Sequence, residues 1–123
     1  MQEADNEFIK VAIIGSRSFK NKPLLEETMQ IFQATHNAIG LIISGGAKGA
    51  DSMGVQWANR NNIPTIVFYP DFKKRKRAYH FRNRQIVKEC DVLIAFWNGR
   101  STGTKYTIDF AKVMEKEVVV VKF

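Results

Sequence analysis

The sequence predicts an α/β fold, a three-layer sandwich with one five-stranded parallel sheet between two layers of helices. Three observations predict it. Five short apolar runs alternate with four amphipathic segments. The runs are continuously apolar, as strands covered on both faces are. Six of the eight glycines stand directly after three of those runs, where the ligand crevice of an open parallel sheet forms.

The elements follow in order. Ile9 to Ile14 is a buried strand closed by Gly15. Pro23 opens a helix reaching about His36, with Leu24, Leu25, Met29, Ile31 and Phe32 on its apolar side. Leu41 to Ser44 is a second strand, ended by Gly45-Gly46, and Ala50 to Asn61 a second helix with Met53, Val55, Trp57 and Ala58 inward. Pro64 to Phe68, rich in β-branched residues, is a third strand. A basic loop follows, then a helix over about Arg77 to Glu89 in which Phe81 is expected in the core. Asp91 to Trp97 is the fourth strand and Asn98 to Thr102 a polar turn. A helix from about Gly103 to Lys116 carries Tyr106, Ile108, Phe110, Ala111, Val113 and Met114, and Val118 to Val121 is the last strand. The whole chain, 1–123, reads as one domain.

Right-handed crossovers leave two common strand orders, 3-2-1-4-5 and 2-1-3-4-5. The first puts strands 2, 1 and 4 side by side, so that all three glycine-bearing turns meet at one crevice. That convergence favours a Rossmann-like order 3-2-1-4-5.

Charge is unevenly placed. The chain carries +7, and residues 72–84, FKKRKRAYHFRNR, hold seven Lys or Arg and no acid. The rest is balanced, with 12 basic and 12 acidic residues. Such a run attracts phosphates or simply solvates a loop. Cys90 is alone, so no internal disulfide forms, and it reads as a small buried apolar residue. No residue spacing suggests a metal site. No apolar run approaches membrane length, and MQEADNEF is acidic without an apolar signal region, so a cytoplasmic protein without membrane contact is expected. A Gly-x-Gly-x-x-Gly after the first strand, a Walker-type Gly-Lys-Ser/Thr and a Gly-x-Ser-x-Gly elbow are all absent.

The glycine turns suit an anion. Ser44, Gly45, Gly46, Ala47, Lys48, Gly49 and Asp51 lead from a strand into a helix, whose N-terminal N–H groups carry partial positive charge. Ser101, Thr102, Gly103 and Thr104 form a second such turn, with hydroxyls able to cap the helix or bond a ligand. Gly15, Ser16 and Arg17 top the first strand, and Arg17 can grip a phosphate with two bonds. Each feature has a plain structural role as well: tight packing for the glycines, capping for the hydroxyls, an ion pair for Arg17.

The segments IIGSRSF, SGGAKGADSMGVQWA, FRNRQIV and GRSTGTKYTIDFA resemble, in that order, the SLOG superfamily of Rossmann-like nucleotide-binding proteins, and most closely its YspA-type branch, related to YpsA. Two other branches imply different chemistry. The LOG phosphoribohydrolases cleave nucleoside 5′-monophosphates with an arginine and a carboxylate. The resemblance places Arg82-Asn83 on the helix before the fourth strand and Gly103-Thr104 on the turn. Tyr106 and Thr107 stand where LOG proteins have paired glutamates, leaving Asp109 as the nearest acid. Arg82 and Asp109 are thus the candidate catalytic pair, or Asp109 pairs with Lys105 or Lys112 on the helix surface. DprA proteins bind single-stranded DNA; SGGAKGAD and FRNRQIV resemble their loop and arginine stretch.

The expected function is therefore binding of a nucleotide or nucleotide-derived phosphate ligand, as a sensor or a weak N-glycosidic hydrolase. Arg17, Lys48 and Arg82 supply charge, Asn83 hydrogen bonds, and Trp97 or Tyr79 a cover for the base. The alternatives are a single-stranded nucleic-acid binder, with Tyr69, Phe72, Tyr79 and Phe81 available for stacking, and an interaction module with a vestigial pocket. No resident cofactor is implied, and the resemblance admits a homodimer.

Overall fold

The computed structural model describes residues 8–123; the acidic leading segment, residues 1–7, lies outside them. The elements run β1 (Ile9–Gly15), α1 (Lys22–Thr35), β2 (Ile39–Ser44), α2 (Ala50–Arg60), β3 (Thr65–Val67), a 3-10 segment (Phe72–Arg77), α3 (Ala78–Glu89), β4 (Val92–Trp97), α4 (Thr102–Val113) and β5 (Glu117–Lys122). The sheet is parallel throughout, in the order β3-β2-β1-β4-β5. This is the Rossmann-like order expected from the glycine turns. The chain winds outward through β2 and β3, then restarts beside β1 at β4, so the switch point falls between β1 and β4.

Alternation along the central strands builds two cores. Val11 and Ile13 of β1, with Val92, Ile94 and Phe96 of β4, pack under α1 and α2 against Leu25, Met29, Phe32 and Trp57. Ala12, Ile14, Leu93 and Ala95 face α3 and α4, against Ile86, Val87, Ile108 and Ala111. Cys90 belongs to this second core, and burial pushes its thiol up to about 11, so it packs as an apolar residue and is not a nucleophile.

Helix ends follow local chemistry. Asn21 Oδ1 accepts from Leu24 N–H (3.0 Å) with Pro23 in the first turn of α1. Ser101 Oγ accepts from Thr104 N–H (3.2 Å) at the start of α4. The helix stops at Val113, short of Lys116, because Glu115 turns to φ 59°.

Five expectations need correction. Strand β2 begins at Ile39, since its pairing with β1 starts there. Ile31 is not on the buried side of α1 but 60% exposed, and Phe81 is exposed on α3. Ile31 lies about 100° around the helix from Phe32, well outside the narrow arc of Leu25, Met29 and Phe32 that the sheet covers. Phe81 precedes Arg82, and it is Arg82 that turns inward. The edge strands β3 and β5 are only half covered, because helices lie over the sheet centre. The basic run is an ordered 3-10 segment with a break at Arg75, not a plain loop. Among the described residues no helix is long and apolar enough to cross a membrane.

Candidate functional site

The C-terminal ends of β1, β2 and β4 open into a cleft of about 440 Å³ between the starts of α2, α3 and α4. It lies at the β1/β4 switch point, where ligands of open α/β sheets bind.

Much of the β2–α2 turn is bonded within the chain itself. Gly45 N–H donates to Asp51 Oδ2 (3.0 Å), Gly46 N–H to Ser44 Oγ (3.0 Å), Ala50 N–H to Ser16 C=O (3.4 Å) and Ser52 N–H to Ala47 C=O (3.1 Å). The Asp51 side chain folds back into the place an anion would take. A β-carbon on Gly49 (φ 79°) would lie 2.5 Å from the carbonyl oxygen of Ser16, so this glycine lets the β2–α2 and β1–α1 turns touch. Of the turn between the strand and helix α2, only Ala47 reaches the cleft.

Asp51 is 5% exposed and sits on the cleft floor, where Gly15 N–H also donates to its Oδ1 (3.3 Å). Burial raises its pKa from 3.8 to about 6, against the pull of the Gly45 and Gly15 N–H groups and of Arg82. Arg82 is 6% exposed. Its Nε donates to Asn83 Oδ1 (2.8 Å) and its Nη1 to Gly45 C=O. Burial lowers its pKa, and Asp51 opposes that shift. The two charged groups meet through Gly45, one taking its N–H and the other bonding its C=O. A β-carbon there would lie 2.8 Å from Asp51 Oδ2 and 2.9 Å from Arg82 Cζ. Among the described residues nothing accepts from Arg82 Nη2, and Arg82 borders the open cleft.

The opposite wall is less committed. Arg17 is exposed, borders the cleft, and makes no side-chain hydrogen bond among the described residues. Its guanidinium and that of Arg82 each lie 5.6 Å from the Tyr79 ring centre. Ser16 Oγ accepts from Asn98 N–H (3.1 Å), joining the β1 and β4 turns. Asn98 Oδ1 accepts from Arg100 and Ser101 N–H (2.8 and 2.9 Å) and so shapes the start of α4. At Gly103 an added β-carbon would meet nothing within 4 Å. No fold contact requires glycine there, and its bareness keeps the N-terminus of α4 open to the cleft.

The predicted residues thus divide. Gly15, Ser16, Arg17, Ala47, Asp51, Arg82, Asn83, Ser101, Gly103 and Thr104 line the cleft. Ser44, Gly45, Gly46, Lys48, Gly49 and Thr102 do not. Ser44, Gly45 and Gly49 are structural in the ways described, Gly46 packs near Val67 and Tyr69, and Lys48 and Thr102 are exposed. Asp109 is 55% exposed at its side chain, bonded to Lys105 Nζ (2.7 Å), and outside the cleft. Trp97 also stays outside, donating from Nε1 to Ser101 C=O (3.0 Å), whereas Tyr79 does line the cleft. Ser18, Asn98 and Thr107 are lining residues the sequence reading missed. Asn98, two residues before Arg100 in a polar turn, carried an Asx-turn signal that would have found it.

A family model described as YAcAr, the YspA, cpYpsA-related SLOG family, matches residues 9–74. The match holds Arg17 and Asp51; Arg82 and Gly103 lie beyond it. The Gene 61 protein of Mycobacterium phage D29 is 28% identical over 106 residues, covering 79% of this chain and 83% of that protein. DNA processing protein A (DprA) from Streptococcus pneumoniae is similar in structure, with a TM-score of 0.75 at 25% identity over 92% of this chain and 50% of that one. The chain therefore spans about half the length of that protein.

Proposed function

Because the chain belongs to the YspA, cpYpsA-related SLOG family, we propose that its cleft binds a nucleotide or nucleotide-derived phosphate ligand. One observation carries this reading: Arg17, Arg82 and the bare N-terminus of α4 at Gly103 converge on one cleft at the switch point. The phosphate belongs on the α4 side rather than on the β2–α2 turn, whose anion position Asp51 holds. Tyr79, near both arginines and partly exposed, offers aromatic surface for a base. The role is binding, as in a sensor. Asp109 faces solvent, and Asp51 has both oxygens engaged, so release of free base from nucleoside monophosphates is expected to be weak. Asp109→Asn should leave that release unchanged.

Titration calorimetry with AMP and related mononucleotides tests the site. Arg17→Ala removes charge-assisted hydrogen bonds of about 1.5–3 kcal/mol, so affinity should fall by about 10-fold or more. Gly103→Val should abolish binding while leaving the melting temperature near wild type, since its side chain projects into open space. Binding that survives both substitutions would place the ligand elsewhere.

A second reading rests on a different observation. Tyr69, Phe72 and Phe81 are exposed beside Lys73, Lys74, Arg75, Lys76 and Arg77, with Lys74 Nζ 4.4 Å from the Phe81 ring centre. Aromatic faces among cations suit single-stranded nucleic acid, and a relative is a DNA processing protein. Neutralising Lys73, Lys74, Arg75 and Lys76 should leave mononucleotide affinity nearly unchanged. If oligonucleotides bind, it should weaken them strongly and flatten their salt dependence.

A further inference from the structure

The two edges of the sheet are treated differently. At one end β3 has three residues and is bracketed by Pro64 and Pro70, which blunt it. At the other end β5 runs six residues, Glu117–Lys122, with four consecutive valines and neither proline nor a register shift against β4. Phe123 N–H bonds Trp97 C=O (3.1 Å). Along a strand the backbone groups alternate in direction. Val118, Val120 and Lys122 therefore turn their N–H and C=O groups away from β4, toward the open edge.

Apolar side chains flank this edge in both layers. On one side, Ile31 (60% exposed), Thr28, Phe32 and Thr35 of α1 form a groove with Val119 of about 240 Å³, closed at one end by His36, whose Nε2 lies 2.8 Å from Glu117 Oε2 of β5. On the other, Val113 (76%) and Met114 end α4 just before β5, and Val120 itself is 41% exposed. A long apolar strand edge in a native protein is normally covered.

We infer that β5 is a dimer edge, pairing antiparallel with β5 of a second copy of this chain to continue the sheet across a two-fold axis. A second copy offers a free strand with helices in both flanking layers, which matches this cross-section. The register that uses every outward group follows from the strand. Pairing about Val120 sets Val120 opposite Val120 and Val118 opposite Lys122, so all the outward backbone groups bond, while Val119 meets Val121. A shift by two residues toward the N-terminus would set Lys122 opposite Lys116, whose N–H is already bonded to Ala111 C=O. Charge agrees: Glu115, Lys116, Glu117 and Lys122 balance around the edge, and the basic run follows β3 at the far edge of the sheet. Joining at β5 keeps the two basic runs apart.

Sedimentation and light scattering on the full chain test this, with thermal melts as the folding control. Wild type should run at twice the 14.1 kDa chain mass. Val120→Lys should run as a folded monomer. Val120→Cys should form an intermolecular disulfide on mild oxidation, because opposed hydrogen-bonded residues have Cα atoms about 5.5 Å apart and Cys90 is buried. A wild type that stays monomeric at its highest soluble concentration overturns the inference. So does a dimer that survives Val120→Lys. If Val120→Lys does not fold, the cysteine variant decides: cross-linking supports the pairing, and a dimer that fails to cross-link refutes it.

Discussion

Replacing Gly49 by alanine is expected to destabilise the chain by about 4 kcal/mol, the sum of two independent costs. The residue has φ 79° and ψ −129°, a conformation left almost wholly to glycine and costing other residues about 1–3 kcal/mol. The new methyl would also lie 2.5 Å from Ser16 C=O and 2.7 Å from Arg17 C=O. Both are backbone atoms that cannot rotate aside, and forced overpacking costs about 1–3 kcal/mol. Relief would part the β1–α1 and β2–α2 turns and break the Ala50 N–H to Ser16 C=O bond. A loss this large is a substantial fraction of the about 5–15 kcal/mol that holds a domain folded. Gly103→Ala is the contrast. It has φ-compatible helical geometry and nothing within 4 Å, and it should be neutral or slightly stabilising. Urea unfolding of the two variants checks the pair. Equal effects would mean that the contact between the two turns is not what Gly49 supplies.

The second large effect is a pH dependence centred on Asp51. Its native pKa, about 6, lies above its ordinary 3.8, so the folded state holds the proton more tightly than the unfolded one. The resulting stability is fully present below about pH 4 and is lost as pH rises through 6. At 1.36 kcal/mol per unit, the difference is about 3 kcal/mol between the two plateaus. Asp51→Asn cannot titrate, so the stability difference between wild type and this variant should shift in favour of the variant by most of that amount, about 2.4 kcal/mol, from pH 4 to pH 7. Other carboxylates cancel in the comparison. A difference that is flat across this range would show that Asp51 is ionised normally. An anion bound in the cleft disfavours the Asp51 carboxylate further. Phosphate-ligand affinity should therefore rise as pH falls from 7 toward 6, a trend that Asp51→Asn should flatten.

Local chemistry made much of the molecule legible. Continuous apolar runs gave away a parallel sheet, because a strand covered on both faces has no polar side to show. The glycine turns after the first, second and fourth strands indicated which strands are central. Ser101 as a cap and the Asp109–Lys105 pair were readable because both partners lie within one helical turn. The SGGAKGAD turn shows where local reading ended. Its glycines and helix start have the composition of a phosphate loop, yet Asp51, six residues beyond Gly45, folds back to take the N–H groups an anion would need. The inward turn of Arg82 to Gly45, 37 residues away, set that geometry and left Phe81 outside.

The sequence by itself determined the elements, their order in the sheet, and the edge at which the cleft forms. Those properties follow from periodicity, crossover handedness and the conformational freedom of a few glycines, all carried by short stretches of chain. Only the tertiary structure decided which polar groups at that edge are spent on the fold and which stay open at Arg17, Arg82 and Gly103. Only it left the outer edge of β5 without a partner strand among the described residues. A hydrogen-bonding group has the same identity in sequence whether or not a partner reaches it, and whether one does depends on contacts between residues far apart along the chain.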